Sequence, residues 1–253
     1  MNSTTVRTLL VRGMFAGAVA GLLASVVAYV IGNPSVDAAI AYEAAHSTEA
    51  GHEMFSRAQQ STIGLATAMT VFGTAIGGIG SLAFCFAYGR IGRFGARATT
   101  ALIAVGLFAT TYLVPFLKYP ANPPATSDPA TLNQRTTLFF LMIALSVLLG
   151  IAAVMLGRTL APRWGTGNAA VAAVAAFVAI LAAAMVFLPT VDETPADFPA
   201  NVLWQFRLGA IGTQIALWAA FALVYGRLAE RVLEPRPAFG AGSAAGQTAT
   251  AAH

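Results

Sequence analysis

The stretch Ala169–Leu188, AAVAAVAAFVAILAAAMVFL, decides the fold. It carries no charge, amide or hydroxyl over twenty residues, and a helix of that length is about 30 Å long, the thickness of a bilayer's hydrocarbon core. Five other runs share its character: Gly13–Ile31, Thr62–Tyr88, Thr99–Leu117, Thr137–Gly157 and Leu208–Tyr225. None of the six contains Asp, Glu, Lys, Arg or His. Inside hydrocarbon a backbone must satisfy its own hydrogen bonds, which leaves helices and closed barrels. The runs are rich in Ala, Leu, Val and Gly and lack strand alternation, so the expectation is an all-α, polytopic membrane protein with six transmembrane helices. Composition agrees. Of 253 residues 57% are hydrophobic and 9% charged, too few charges to solvate a soluble surface of this size.

The connectors between the runs set the orientation, because Lys and Arg are retained on the cytoplasmic side. One alternate set holds Arg7, Arg12, Arg90, Arg93, Arg97, Arg158, Arg163, Arg227, Arg231 and Arg236. The other holds Arg57, Lys118, Arg135 and Arg207 together with eight of the ten carboxylates. Both termini are therefore expected in the cytoplasm. The domain expected over residues 1–234 has outer connectors at 33–61, 118–136 and 189–207, followed by a disordered cytoplasmic tail at 235–253. Arg7 and Arg12 before an apolar run could suggest a signal peptide, but the run is longer than a signal's apolar core and is read as a mature helix. The basic residues are scattered in small groups, which argues against nucleic acid as a partner and leaves the lipid bilayer.

Gly13, Gly17 and Gly21 lie four apart, as do Gly73 and Gly77. Small residues at this spacing let helices approach closely in lipid, and the expected contact is helix one on helix two. Gly-Arg recurs at Gly89-Arg90, Gly157-Arg158 and Gly226-Arg227, and Pro34, Pro115 and Pro189 fall near outer helix ends. Two readings stand: a threefold repeat of hairpins, or arginines that any such protein needs at its inner helix ends.

Chemistry is expected in the outer connectors. The first, Asn33–Ser61, holds His46 and His52 among Glu43, Glu49 and Glu53, with Ser35 placed to cap a short helix. At helical spacing His46, Glu49 and Glu53 share a face, with Glu43 and His52 at its edges. Imidazole with carboxylate suits Co²⁺, Ni²⁺ or Zn²⁺. Because His46 and Glu53 would be roughly 10 Å apart along a helix, only adjacent pairs could share an ion. A solvated amphipathic helix lying on the membrane is the other reading. In the second connector, five prolines from Pro115 to Pro129 favour extended geometry, either a vestibule wall or a rigid link. The third carries Asp192, Glu193 and Asp197, a negative mouth for cations or a solvated loop, with Trp204 as an interfacial anchor. With no ionisable residue inside the spans, an ion path would be lined by uncharged polar groups such as Gln60, Thr62, Thr213 and Gln214. The chain has no nucleotide-binding Gly-Lys loop and no nucleophile–base pair, so no enzyme activity and no cofactor is expected. A single cysteine, Cys85, excludes an internal disulfide.

At these connectors the sequence resembles the CbtA family of cobalt transporter subunits. The resemblance rests on Asn33-Pro34-Ser35-Val36-Asp37, Gln60-Ser61-Thr62-Ile63-Gly64, Leu113-Val114-Pro115-Phe116-Leu117-Lys118-Tyr119-Pro120, Glu193-Thr194-Pro195-Ala196-Asp197-Phe198-Pro199 and Leu203-Trp204-Gln205-Phe206-Arg207. It implies a multi-pass bacterial inner-membrane protein that takes up cobalt(II), as transported ion, for cobalamin synthesis. It also implies a small single-span CbtB-like partner with a histidine-rich terminus. It supplies no ligand residues; those named above come from their chemistry. Two rival functions are an accessory membrane scaffold with no ion path of its own and a permease for a corrinoid precursor.

Overall fold

The computed structural model describes residues 1–46, 56–124, 126 and 129–234. Glu49, His52, Glu53, Asp128 and the tail 235–253 lie outside the described residues. Five helical segments are long and apolar enough to cross a membrane: α1 (Ser3–His46), α2 (Arg57–Ala87), α3 (Ala96–Lys118), α4 (Leu132–Phe187) and α5 (Ala200–Leu233). No strand occurs among the described residues.

The sequence anticipates six helices where five continuous segments are found, and the difference lies in α4. Gly165 interrupts it with φ 75° and ψ 157°, a backbone conformation open essentially to glycine alone. The chain reverses there. A Cβ on Gly157 would touch that of Ala173 at 3.4 Å, and Gly150 faces Phe177. Met142 and Leu181 meet in one buried cluster with Leu149, Phe177 and Met185. The arms 132–164 and 166–187 are thus antiparallel neighbours, and helix continues through the region read from sequence as a connector.

Three of the helix starts have an identifiable cause. Asn2 caps α1 by accepting from Thr5 N–H at 2.9 Å. Ser56 and Gln59 form a reciprocal capping box ahead of α2. Ala96 N–H, at the start of α3, donates to Glu234 Oε1 at 2.8 Å, and Arg97 Nε donates to Glu230 Oε2 at 2.8 Å. Glu230 and Glu234 are therefore both spent on the start of α3, where negative charge is favourable to the helix dipole.

Two expectations fail at Pro34 and Ser35. The sequence breaks the helix there and starts a separate capped one. Instead α1 runs on to His46, and the Ser35 hydroxyl donates to Gly32 O at 2.7 Å within the helix. A π turn over Ala28–Gly32 makes this possible: Asn33 N–H bonds five residues back to Ala28 O. The wider turn relieves the clash of a proline ring with the preceding turn. The described part of the first connector's helix, through His46, is therefore a continuation of α1. Pro115 is likewise helical, directly after a π turn over Phe108–Leu113, against the extended geometry expected of the proline-rich stretch. Pro189 follows the end of α4 and has no such turn. Nor do the three Gly-Arg pairs match: Gly89 sits in the turn after α2, while Gly157 and Gly226 are inside helices.

Packing centres on α1, which lies against both α2 and α5; α3 closes on α5 and α2. The glycine stripes meet as the spacing predicts. A Cβ on Gly17 would fall inside the carbonyl of Gly73, and one on Gly77 inside the carbonyl of Gly13. In the buried core with Leu9 and Leu217, Phe221 stacks on Tyr225 and Phe84 meets Tyr225 edge-on. The α4 hairpin packs on α3.

Three glycine substitutions separate these effects in thermal unfolding of the detergent-solubilised protein. Gly17→Leu overpacks the α1–α2 seam and should cost about 1–3 kcal/mol or more. Gly165→Ala should cost about 1–3 kcal/mol through backbone strain alone, since a Cβ there meets nothing. Gly106→Ala, equally open but helical, should gain roughly 0.5–1 kcal/mol. Equal effects at all three positions would contradict the packing described.

Candidate functional site: the acidic connectors

The acidic connectors come together where the extension of α1, the start of α2 and the connectors 118–136 and 189–207 meet. On the α1 extension Asn33 Nδ2 donates to Asp37 Oδ2 at 2.9 Å, while Arg57 reaches across from α2 to Asp37 Oδ1 at 2.8 Å and Asn33 Oδ1 at 2.6 Å. This triad ties together the two ends of the first connector. It uses Arg57, one of the four basic residues in the acidic set of connectors.

The three carboxylates of the third connector part ways. Glu193 is almost wholly buried, with 2% of its side chain exposed, and pairs with Arg135 Nη1 at 2.8 Å. Its other oxygen accepts from the Thr131 hydroxyl. A buried carboxylate needs such partners, because burying an unpaired charge is costly. Asp192 lies close enough to Arg207 to act on its charge. Arg207 donates to Asn122 Oδ1 at 3.0 Å, joining α5 to the proline-rich connector. The Tyr119 hydroxyl donates to Pro189 O at 2.9 Å, and burial pushes that phenol above its ordinary value, which keeps it a donor. Asp197 stays 65% exposed at its side chain and faces His46, with its carboxylate Oδ2 3.6 Å from the imidazole Nε2.

His46 is held by its own helix. Its Nδ1 is 2.8 Å from Tyr42 O, and its ring stacks on Tyr42 with centroids 4.1 Å apart. Tyr42 in turn meets the buried Phe198 edge-on at 4.9 Å. The first and third connectors are thereby joined through two aromatic rings and one imidazole–carboxylate pair.

Glu43 is exposed one helical turn before His46. Of the uncharged polar residues, Gln60 and Thr62 are exposed near the start of α2. Thr213 is buried and Gln214 half-buried in α5. Both threonine hydroxyls donate to carbonyls of their own helices, Thr62 to Ala58 O at 2.6 Å and Thr213 to Gly209 O at 2.8 Å. α1 is the common neighbour of α2 and α5. The latter two meet deeper in, where Gly80 and Phe84 face Phe221 and Tyr225. Among the described residues no three of His, Cys, Asp and Glu converge as a metal site.

Sequence reading missed the supporting residues. Tyr42, four residues before His46, was visible as a helical neighbour. Arg135, Thr131 and Phe198 have no local signal, since each partner is far away in sequence. The buried pair gives a test. Arg135→Ala should destabilise the protein by about 3–5 kcal/mol, because it strands the Glu193 charge. Arg57→Ala, whose partner Asp37 is half-exposed, should cost about 1 kcal/mol or less. Denaturant or thermal unfolding of the two variants compares them, and similar small losses would contradict a buried Glu193–Arg135 pair.

No curated protein and no solved structure matches the chain. A family described as "Probable cobalt transporter subunit (CbtA)" matches residues 6–230. Apolar helices able to cross a membrane and a family match over nearly the whole described chain agree with one another. The protein belongs to the CbtA family of cobalt transporter subunits.

Proposed function

We propose that this chain is the membrane subunit through which a bacterium admits cobalt(II) across its inner membrane for cobalamin synthesis. The observation that carries the reading is the family match over residues 6–230. With the arms of α4 counted separately there are six apolar helical segments, and each crosses the bilayer once in this proposal. Both termini then lie in the cytoplasm with ten of the fourteen basic residues, and the acidic connectors face the periplasm. Exposed carboxylates raise the local concentration of cations there. Glu43, His46, Asp192 and Asp197 are the described residues in that role; Glu49, His52 and Glu53 belong to it by sequence. Glu193, committed to Arg135, holds the connector in place.

A subunit implies an assembly. A small single-span CbtB-like protein with a histidine-rich terminus would supply imidazoles, of which this chain has three. A scaffold without its own ion path draws support from one feature: the α1–α2 seam is packed backbone to backbone and has no room for an ion.

Uptake of ⁵⁷Co²⁺ by cells with and without the chain separates these readings. Loss of the chain should reduce uptake to background, and undiminished uptake would reject the proposal. Labelled corrinoid entering in place of metal would favour a permease. Orientation is checked with an impermeant maleimide in a Cys85→Ser background. A cysteine replacing Asp192 should label on intact spheroplasts, and one replacing Arg93 only after permeabilisation.

A further inference from the structure

The geometry points to a two-ligand capture site for a divalent cation between His46 Nε2 and Asp197 Oδ2. The inference rests on the proposed cobalt function and names the place on the outer surface where the ion is first held.

The argument starts from the proton on the imidazole. His46 Nδ1 lies 2.8 Å from Tyr42 O. A carbonyl oxygen only accepts, so Nδ1 carries the hydrogen. In the neutral ring Nε2 then presents its lone pair, and it presents it to Asp197 Oδ2 at 3.6 Å. That separation is too long for a hydrogen bond. With the neutral ring it sets two acceptors face to face, and a cation between them, like a proton on Nε2, relieves that arrangement, while the Tyr42 hydroxyl donates to the same carboxylate. The distance also suits an ion: donors each about 2.1 Å from one metal at a tetrahedral angle are about 3.4 Å apart.

The surroundings are those of a prepared site. A metal-binding imidazole commonly donates its other N–H to a carbonyl or carboxylate, which fixes ring and tautomer. Tyr42 O does so here, and the Tyr42 ring stacked on His46 restrains its rotation. On the other side Phe198, the residue after Asp197, is 6% exposed and edge-on to Tyr42, which anchors the backbone beside Asp197. Both ligand side chains remain more than half exposed, so water can complete the coordination shell and the ion can leave again. Imidazole nitrogen with one carboxylate oxygen favours Co²⁺, Ni²⁺ or Zn²⁺ over Mg²⁺ or Ca²⁺.

Titration of Co²⁺ into the full-length protein in nanodiscs, followed by calorimetry and by the visible absorption of Co²⁺, tests the site. His46→Gln and Asp197→Asn should each weaken binding by at least the roughly tenfold that loss of even an outer-shell partner costs a metal site. The double variant should be no weaker than the weaker single, because both changes empty one site. Asp37→Asn removes the same charge from the same surface and should leave the affinity unchanged. Affinity that is unaltered in both ligand variants, or that falls equally with Asp37→Asn, would overturn the inference. Uptake of ⁵⁷Co²⁺ keeps the two claims apart. Chain-dependent uptake with unaltered titration rejects the site and leaves the cobalt function standing. Ligand-dependent titration without chain-dependent uptake rejects the function and retains the site.

Discussion

Hydrocarbon offers a helix no water to bond with and no hydrophobic reward for finding a partner, and this protein is organised around that constraint. Association must come from close contact, so α1 and α2 approach through interleaved glycines until each backbone lies against the other's carbonyls. Such contact supplies dispersion and weak Cα–H···O attraction over several turns. α1 is thereby fixed as the central element, and α5 packs on its other side. The same constraint governs polar groups. After the π turn in α3, Val114 N–H reaches back to Ala109 O, and the next donor in that register would be Pro115, which has no N–H. The Thr110 carbonyl is met instead by the hydroxyl of the fully buried Ser146 on the first arm of α4. A proline in α3 thus specifies a serine across the interface.

Outside the spans the problem reverses, because water is plentiful and charge is cheap. Even so, the outer cations are largely committed. Arg57 binds Asp37 and Asn33, Arg135 binds Glu193, and Arg207 binds Asn122. These contacts join six chain segments in three pairs. They hold the connectors as a built surface, and within it His46 and Asp197 keep their more exposed positions.

Much of this was legible in the sequence. The apolar runs give the helices, and the glycine spacing gives the α1–α2 contact. Both signals are local, and the physics of lipid makes them strong. Legibility ends where one local signal overrides another. Pro34 reads as a helix end, and nothing in one dimension shows that a π turn will carry the helix past it. Gly165 is one glycine among 24, and its reversal depends on two arms that find each other only after folding. The residues of the outer surface were singled out by type, but their grouping was not. The expected companions of His46 lay along its own connector, whereas the described partner, Asp197, comes from the far end of the chain.

The π turn in α1 also sets an azimuth. A π turn accommodates one residue more than the α-helical turn it replaces, and one residue corresponds to about 100° of rotation. Everything beyond Gly32 is therefore phased differently from the stripe that packs on α2. Closing the turn by a single-residue deletion would swing the imidazole about a quarter-circle around the helix axis while leaving the membrane-embedded packing in register. The compass bearing of the α1 tip is thus written some fifteen residues before the tip itself, in the stretch that lets a proline pass.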